Sequence, residues 1–464
     1  MDNLINKNVV NLINRAQISK AAGQLLQAKI ILNKAIKLDP KNEIALNNIA
    51  NIYKETKDFD KSIKYYLKSI TANSSYKIAK INLAILYHEI NKLNEAEKVY
   101  KEIINIDKLN FGIYFKLSNI NFSYFNEDVI QFIKDSIKKK DLSLYNKACG
   151  YFILAEAEKI KKNFKKEFNY LNQGHEYFYK SNVNVYNQSL LYWLEIIPKK
   201  FNEIKFLNKN TNEFSKKINP IFIIGLPRSG STLVEGIISS GLIKIENGGE
   251  TAIINAEIIK KVRDKKFDKN FAKIKFDLDL NNLSNSILAR YENLKLLHKD
   301  KNYFFTDKSL ENFFYVELIL NLFPNAKFIN CERDLIDSIF AIYGNFFDKM
   351  SWTHSIKNIL KYIDQYLIVI GHFKKKYPKK IYSVQLKDLT NNSFDISKQL
   401  FKFCQLDWDK SSLEFYKRKN FISKTASNIQ IRKKIYKYDT HKYKVYKEFL
   451  RDYSNTYPWL KQIL

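Results

Sequence analysis

Alanines recur every 34 residues at the start of this chain, with Ala16, Ala50 and Ala84 in register. So do Leu25, Phe59 and Leu93, then Ala28, Ser62 and Ala96, then Leu32, Tyr66 and Tyr100. A fixed period of this length marks one supersecondary unit repeated, because a single helix pair cannot bury its apolar face alone. Small residues sit where two helices must approach closely, and the large ones fill the next layer. LNNIANIYKETKDFDKSIKYYLKSI and INLAILYHEINKLNEAEKVYKEIINI each read as two amphipathic helices joined by a short polar turn. Pro40, in LDPKN, marks the break that closes the first unit.

This pattern resembles the tetratricopeptide (TPR) family, with three clear units from 10 to 110. Residues 152–178 read as a further helix pair, and 112–150 as helical without a clear phase. The resemblance implies a curved helical solenoid over residues 1–200, whose concave face holds a peptide or protein. Packing on the following domain, or self-association as a homodimer, is the alternative.

The chain is too long for one core, at 464 residues, so two or three domains are expected. Its 78 Lys and Arg against 48 Asp and Glu give a net charge of +30, which raises the question of nucleic-acid binding. The excess is 70 Lys to 8 Arg spread along the whole length, with no basic arm and no aromatic-interleaved signature, so no nucleic-acid partner is expected. Cys149, Cys331 and Cys404 have no paired spacing, which excludes a disulfide framework and points to a reducing compartment. No run of 18 apolar residues exists to span a bilayer, and the N-terminal residues lack a signal-peptide core. A cytoplasmic setting is the expectation.

The texture changes after the polar run 199–220. Six of the twelve glycines (Gly225, Gly230, Gly236, Gly241, Gly248 and Gly249) lie within 25 residues. They begin at the end of IFIIG (221–225), a continuous apolar run of the kind found in a buried parallel strand. GLPRSGSTLVEGIISS then reads as a loop entering a helix near Ser231. Strand, glycine loop and helix N-terminus together make an anion site, since unpaired amides and the positive dipole end converge there. The spacing is close to a phosphate-binding P-loop, but Ser231 stands where a nucleotide triphosphatase carries lysine. Arg228 sits inside the loop instead, one of the few arginines in a lysine-rich chain, offering forked donors to an oxyanion. A purely structural strand–turn–helix corner is the competing reading.

GLPRSGSTL resembles the 5′-phosphosulfate loop of the sulfotransferases, whose donor is 3′-phosphoadenosine-5′-phosphosulfate (PAPS). Downstream landmarks fall in the family's order: ENGGETAII with Glu250, TDK with Lys308, a strand-end Arg333, and KTASNIQIRKK with Ser427 and Arg432. The pattern is similar to protein-tyrosine sulfotransferases and to bacterial TPR-fused proteins like them. That resemblance implies a mostly parallel α/β sheet in a domain over 215–464, with strands near 221–226, 303–306, 327–332 and 381–386. It implies that Pro227, Arg228, Ser229, Gly230, Ser231, Thr232, Arg333 and Arg432 hold PAPS, and that Glu250 is the base. Arg228, Lys308 and Ser427 join Glu250 in the chemistry, and no metal is required. A base of this kind needs hydrogen-bond reach to an acceptor hydroxyl, such as a protein tyrosine. Two positions depart from the family. Ala341 stands where a serine binds the 3′-phosphate, with Ser338 at the wrong helical angle, and Leu386 and Lys387 replace Tyr-Glu. A TPR adaptor with an inactive domain, or a P-loop nucleotide kinase, is the alternative.

Overall fold

The computed structural model describes residues 2–243, 245–263, 276–297, 304–417, 430–439 and 442–464. They form two compact units, Met1–Lys139 with Ala289–His298, and Lys140–Leu288 with Lys299–Leu464.

In the first unit the 34-residue period becomes three helix pairs: Asp2–Ala21 with Leu25–Leu38, Glu43–Glu55 with Phe59–Ala72, and Lys77–Glu89 with Leu93–Ile106. Each helix packs on the next in sequence. The registered small residues Ala16, Ala50, Ala84, Ala28, Ser62 and Ala96 are all buried, as are Leu32, Tyr66 and Tyr100. Ser62 breaks the alanine pattern without leaving an orphan, because its hydroxyl donates to the Ala50 carbonyl at 2.8 Å. The turns between paired helices repeat too. Gly23, Lys57 and Asn91, again 34 apart, all take positive φ (79°, 60° and 66°). Lys57 and Asn91 accept a conformation that costs a side-chain residue about 1–2 kcal/mol, which the packing around the turn offsets. Further helices at Phe111–Ser118 and Glu127–Ser136 account for the unphased segment.

The second unit begins with the helix pair Leu144–Ile160 and Phe164–Ser181 and is built on a five-stranded sheet. Among the described residues the strands are β1 (Lys205–Phe206), β2 (Asn219–Gly225), β3 (Glu246–Asn247), β4 (Asp277–Leu278), β5 (Phe304–Asp307), β6 (Lys327–Glu332) and β7 (Ile381–Gln385). The main sheet has the order β3-β5-β2-β6-β7, with every pairing parallel. β1 and β4 form a separate parallel pair. All of β2 after Asn219 is buried, which is why its sequence is an unbroken apolar run. Four of the expected strands are present within a residue or two. The segment between β5 and β6 begins as a 3₁₀ turn, Leu310–Tyr315, before the helix Val316–Leu322. Cys149, Cys331 and Cys404 are buried, and none is in a disulfide among the described residues. Among the described residues no helix is long and apolar enough to cross a membrane.

Gly225 fixes the close approach of β2 to β6. It has φ +135°, and a Cβ there would stand 2.4 Å from the Cys331 carbonyl oxygen. Because the obstructing atom is backbone, nothing nearby can swing aside. Gly225→Ala is expected to destabilise the second unit by at least about 2 kcal/mol, read as a lower denaturation midpoint with unchanged m-value. A change below about 0.5 kcal/mol would show that the two strands part easily.

Candidate active site

The loop after β2 is held by its backbone. Arg228 takes φ +66°, and Gly230, at φ +89°, caps the helix Ser231–Ile238. A Cβ on Gly230 would lie 2.6 Å from Leu386 Cδ1, so Leu386 packs directly against this glycine. The first amides of the helix have no intrahelical acceptor and face the loop. Ser229, Ser231 and Thr232 are buried, and Ser229 Oγ has no hydrogen-bond partner among the described residues. A buried hydroxyl in that state lacks a partner worth about 1–3 kcal/mol. Burial also lowers the Arg228 pKa, although the guanidinium stays charged. Unsatisfied hydroxyl, helix N-terminus and half-buried arginine around one turn suit an anion, and they fit the phosphosulfate end of PAPS.

Beside the loop, the Gly-Gly-Glu turn is tied to the end of β5. The Gly248 amide donates to Thr306 O at 3.0 Å, and the Lys308 amide donates to Gly249 O at 2.8 Å. Gly249 has φ +63°, and its amide donates to Glu235 Oε1 at 2.9 Å. The same oxygen accepts Thr306 Oγ1 at 2.9 Å. Glu235 lies on the loop's own helix, so one carboxylate links loop, turn and strand. It also faces Lys308, whose Nζ is 3.9 Å from Glu235 Oε2 and 3.1 Å from Glu250 Oε1.

Lys308 is 1% exposed while Glu250 is 41% exposed, so a buried ammonium holds a solvent-facing carboxylate. Lys308 is thus not a surface lysine. Burial alone pushes the Lys308 pKa down, but Glu250 and then Glu235 outweigh it and the net shift is upward. Burial raises the pKa of Glu235, with Lys308, Thr306 and Gly249 opposing. Asp307 anchors the neighbouring chain by accepting Thr251 Oγ1 at 2.6 Å and the Ser309 amide at 2.9 Å. Glu311, one helical step beyond, is raised to about 7 by burial and then by the carboxylates of Asp307 and Glu250.

At the end of β6, Arg333 donates through Nη1 to the Arg228 carbonyl at 3.0 Å and through Nε to Tyr438 Oη at 2.8 Å. The strand-end arginine and the loop arginine therefore meet. Ser338 turns into its own helix and donates to Asp334 O at 2.9 Å, and Ala341 is buried with no hydroxyl to offer. Arg432 lies half-buried in the 3₁₀ turn Gln430–Arg432, and burial lowers its pKa. Ile431, beside it, packs in the core around the loop helix with Val234 and Ile237. Ser427 lies outside the described residues.

The sequence reading passed over Glu235, Glu311 and Tyr438. Glu235 had a visible signal, a lone charge in the otherwise apolar helix STLVEGII. Glu311 and Tyr438 had none, since Glu311 is one of two acids in the run LENFFYVEL and Tyr438 lies in an ordinary polar stretch.

Residues 220–410 match the profile described as Sulfotransferase family. Residues 11–42, 44–76 and 79–108 match that described as Tetratricopeptide repeat. The chain carries a sulfotransferase-family domain preceded by tetratricopeptide repeats. An uncharacterized protein of Aquifex aeolicus is 28% identical over 336 residues, covering 70% of this chain and 43% of that protein. The uncharacterized protein ycf37 of Pyropia yezoensis is 39% identical over 74 residues, 15% of this chain and 42% of that one. This chain thus spans less than half the length of either curated relative. Among solved structures, the sulfotransferase domain of the Synechococcus PCC 7002 olefin synthase aligns at 18% identity and TM-score 0.34, covering 51% of this chain and 90% of that one. The sulfotransferase STF1 of Mycobacterium tuberculosis aligns at 12% identity and TM-score 0.30, covering 62% and 92%.

Two outcomes follow for this sulfotransferase-family domain. Lys308→Met leaves Glu235 buried without its countercharge and is expected to destabilise by about 3–5 kcal/mol near pH 8. A carboxyl whose folded pKa is raised keeps its stability below the unfolded value and loses it as pH rises, so the loss should shrink towards pH 5. Urea unfolding at both pH values measures it, and equal losses would contradict the pairing. The same sign applies to Glu311, whose pKa is about 7 against the usual 4.5. Glu311→Gln should remove part of the fall in stability between those two pH values, and an unchanged profile would place Glu311 in solvent.

Proposed function

We propose that this chain transfers a sulfuryl group from PAPS to a hydroxyl acceptor. The observation that carries this reading is the Lys308–Glu250 pair, 3.1 Å apart, beside a glycine loop that lacks the lysine of a triphosphatase. The donor supplies an activated sulfuryl group on a phosphate–sulfate anhydride. Pro227 shapes the turn, the amides of Ser229–Thr232 would face the phosphosulfate, and Arg228 adds a forked cation. Arg333 and Arg432 complete the nucleotide site.

Glu250 is the general base in this reading. Its exposed carboxylate takes the acceptor's proton as the acceptor oxygen displaces the bridging oxygen from sulfur in line. Lys308 donates to Glu250 Oε1 and so positions the carboxylate beforehand. Once Glu250 is protonated, Lys308 keeps Glu235 as a second carboxylate partner and stays charged. A buried ammonium there stabilises charge growing on the sulfuryl oxygens and the leaving phosphate. Ser427 joins this set by the resemblance stated above. The acceptor is a hydroxyl such as a peptide tyrosine. The repeats support a protein acceptor, since the first unit has a groove of about 440 Å³ lined by Gln17, Lys20, Asn48, Ile52 and Glu55.

The test supplies PAPS with mixed peptide and sugar acceptors and follows release of adenosine 3′,5′-bisphosphate. Glu250→Gln and Arg228→Ala are each expected to lower kcat/KM by about 10²-fold or more. Turnover of ATP with Mg²⁺ in place of PAPS, or turnover indifferent to Glu250→Gln, would contradict the reading.

A further inference from the structure

We propose that Tyr438 is a positioning residue that gives this site its preference for a 3′-phosphorylated nucleotide, acting through Arg333. The inference rests on the functional reading above and names the residue that makes its nucleotide site selective.

An arginine at a strand end has four rotatable side-chain torsions and recognises a phosphate well only when its fork is held still. Here the fork is held from three sides. Nε donates to Tyr438 Oη at 2.8 Å, and Nη1 donates to the Arg228 carbonyl at 3.0 Å. The Tyr438 hydroxyl in turn donates a hydrogen bond to Asp337 Oδ2, so the phenol accepts from the guanidinium and donates to the carboxylate. Asp337 Oδ2 is 3.8 Å from Arg333 Nη2, near enough for charge attraction and beyond a hydrogen bond. The rings of Tyr438 and Tyr443 lie 5.0 and 5.4 Å from the guanidinium carbon.

Donor arithmetic shows what this leaves. A guanidinium has five N–H groups. Nε and one Nη1 hydrogen are engaged, so one on Nη1 and both on Nη2 lack a hydrogen-bond acceptor among the described residues. Three donors in a fixed plane are suited to a phosphate. The helix that follows Arg333 contributes no hydroxyl, since position 341 is alanine and Ser338 is bonded to Asp334 O. Tyr438 arrives from the C-terminal segment, more than a hundred residues away, and immobilises the arginine that would otherwise bind alone. The share of 3′-phosphate selectivity that Arg333 supplies therefore depends on the phenol hydroxyl that holds it.

The test is calorimetric titration of the full chain with adenosine 3′,5′-bisphosphate and, separately, adenosine 5′-monophosphate. The unaltered protein is expected to prefer the bisphosphate. Tyr438→Phe keeps the ring and removes the hydroxyl. It should cut that preference by about tenfold while monophosphate affinity stays within about twofold, since a hydrogen bond to a charged group is lost at one end of the ligand only. In an Arg333→Lys background, Tyr438→Phe should have no further effect on the preference. Equal weakening of both nucleotides by Tyr438→Phe, an unchanged preference, or an additive effect in the Arg333→Lys background each overturns the assignment. So does equal affinity of the unaltered protein for the two nucleotides, which leaves the loop reading standing. Binding of neither nucleotide by the unaltered protein sinks the functional reading itself.

Discussion

The carboxylate of Glu235 is where the second unit's separate pieces become one site. It sits on the helix that leaves the glycine loop, accepts the Gly249 amide and the Thr306 hydroxyl, and faces the ammonium of Lys308. The turn lies 14 residues and the strand 71 residues from Glu235 in sequence, and both are oriented by this one group. Burying it raises its pKa, and the hydrogen bonds and the lysine oppose that shift. A buried ion pair of this sort contributes little net stability against an apolar alternative. Its effect is geometric: it fixes where Lys308 and Glu250 stand relative to the strand ends. Open parallel sheets bind ligands at that edge.

The loop itself is built from conformations that ordinary residues avoid. Gly225 and Gly230 have positive φ and neighbours within 2.6 Å of where a Cβ would be, while Arg228 takes positive φ with a full side chain. Such a residue persists only where its surroundings over-determine it. Arg333 is one source of that constraint, since its guanidinium grips the Arg228 carbonyl. The two arginines are therefore coupled through backbone, in a chain that uses lysine for nearly every other cation. The buried Ser229 hydroxyl, without a hydrogen-bond partner among the described residues, is a further local conflict with packing rules, and conflicts of this kind gather at functional sites.

How much of this could be read from the residues depended on whether the signal was periodic. The 34-residue register of Ala16, Ala50 and Ala84 mapped directly onto helix pairs, because close packing forces small residues to recur at the crossing points. β2 was legible as an apolar run buried along its length, whereas β7, with a polar and half-exposed pattern, was placed only by the family resemblance. β3 was not legible, because two residues at a sheet edge carry no pattern. The 3₁₀ start at Leu310 was hidden too, since an apolar 3.6-residue pattern does not separate it from an α-helix. Within the site, Arg228, Lys308, Glu250 and Arg333 had motif spacing to betray them. Tyr438 and Glu311 matter through partners that are distant in sequence or through burial, and neither leaves a trace in local spacing.

The central claim is that main-chain amides around Gly230 form an anion cradle. The most direct measurement is the shift of backbone amide resonances as adenosine 3′,5′-bisphosphate is added to ¹⁵N-labelled protein. The account predicts that Ser229, Gly230, Ser231 and Thr232 move most, with Arg228 alongside. Shifts confined to the repeats, or spread evenly over lysine-rich surface and abolished by modest salt, would contradict it.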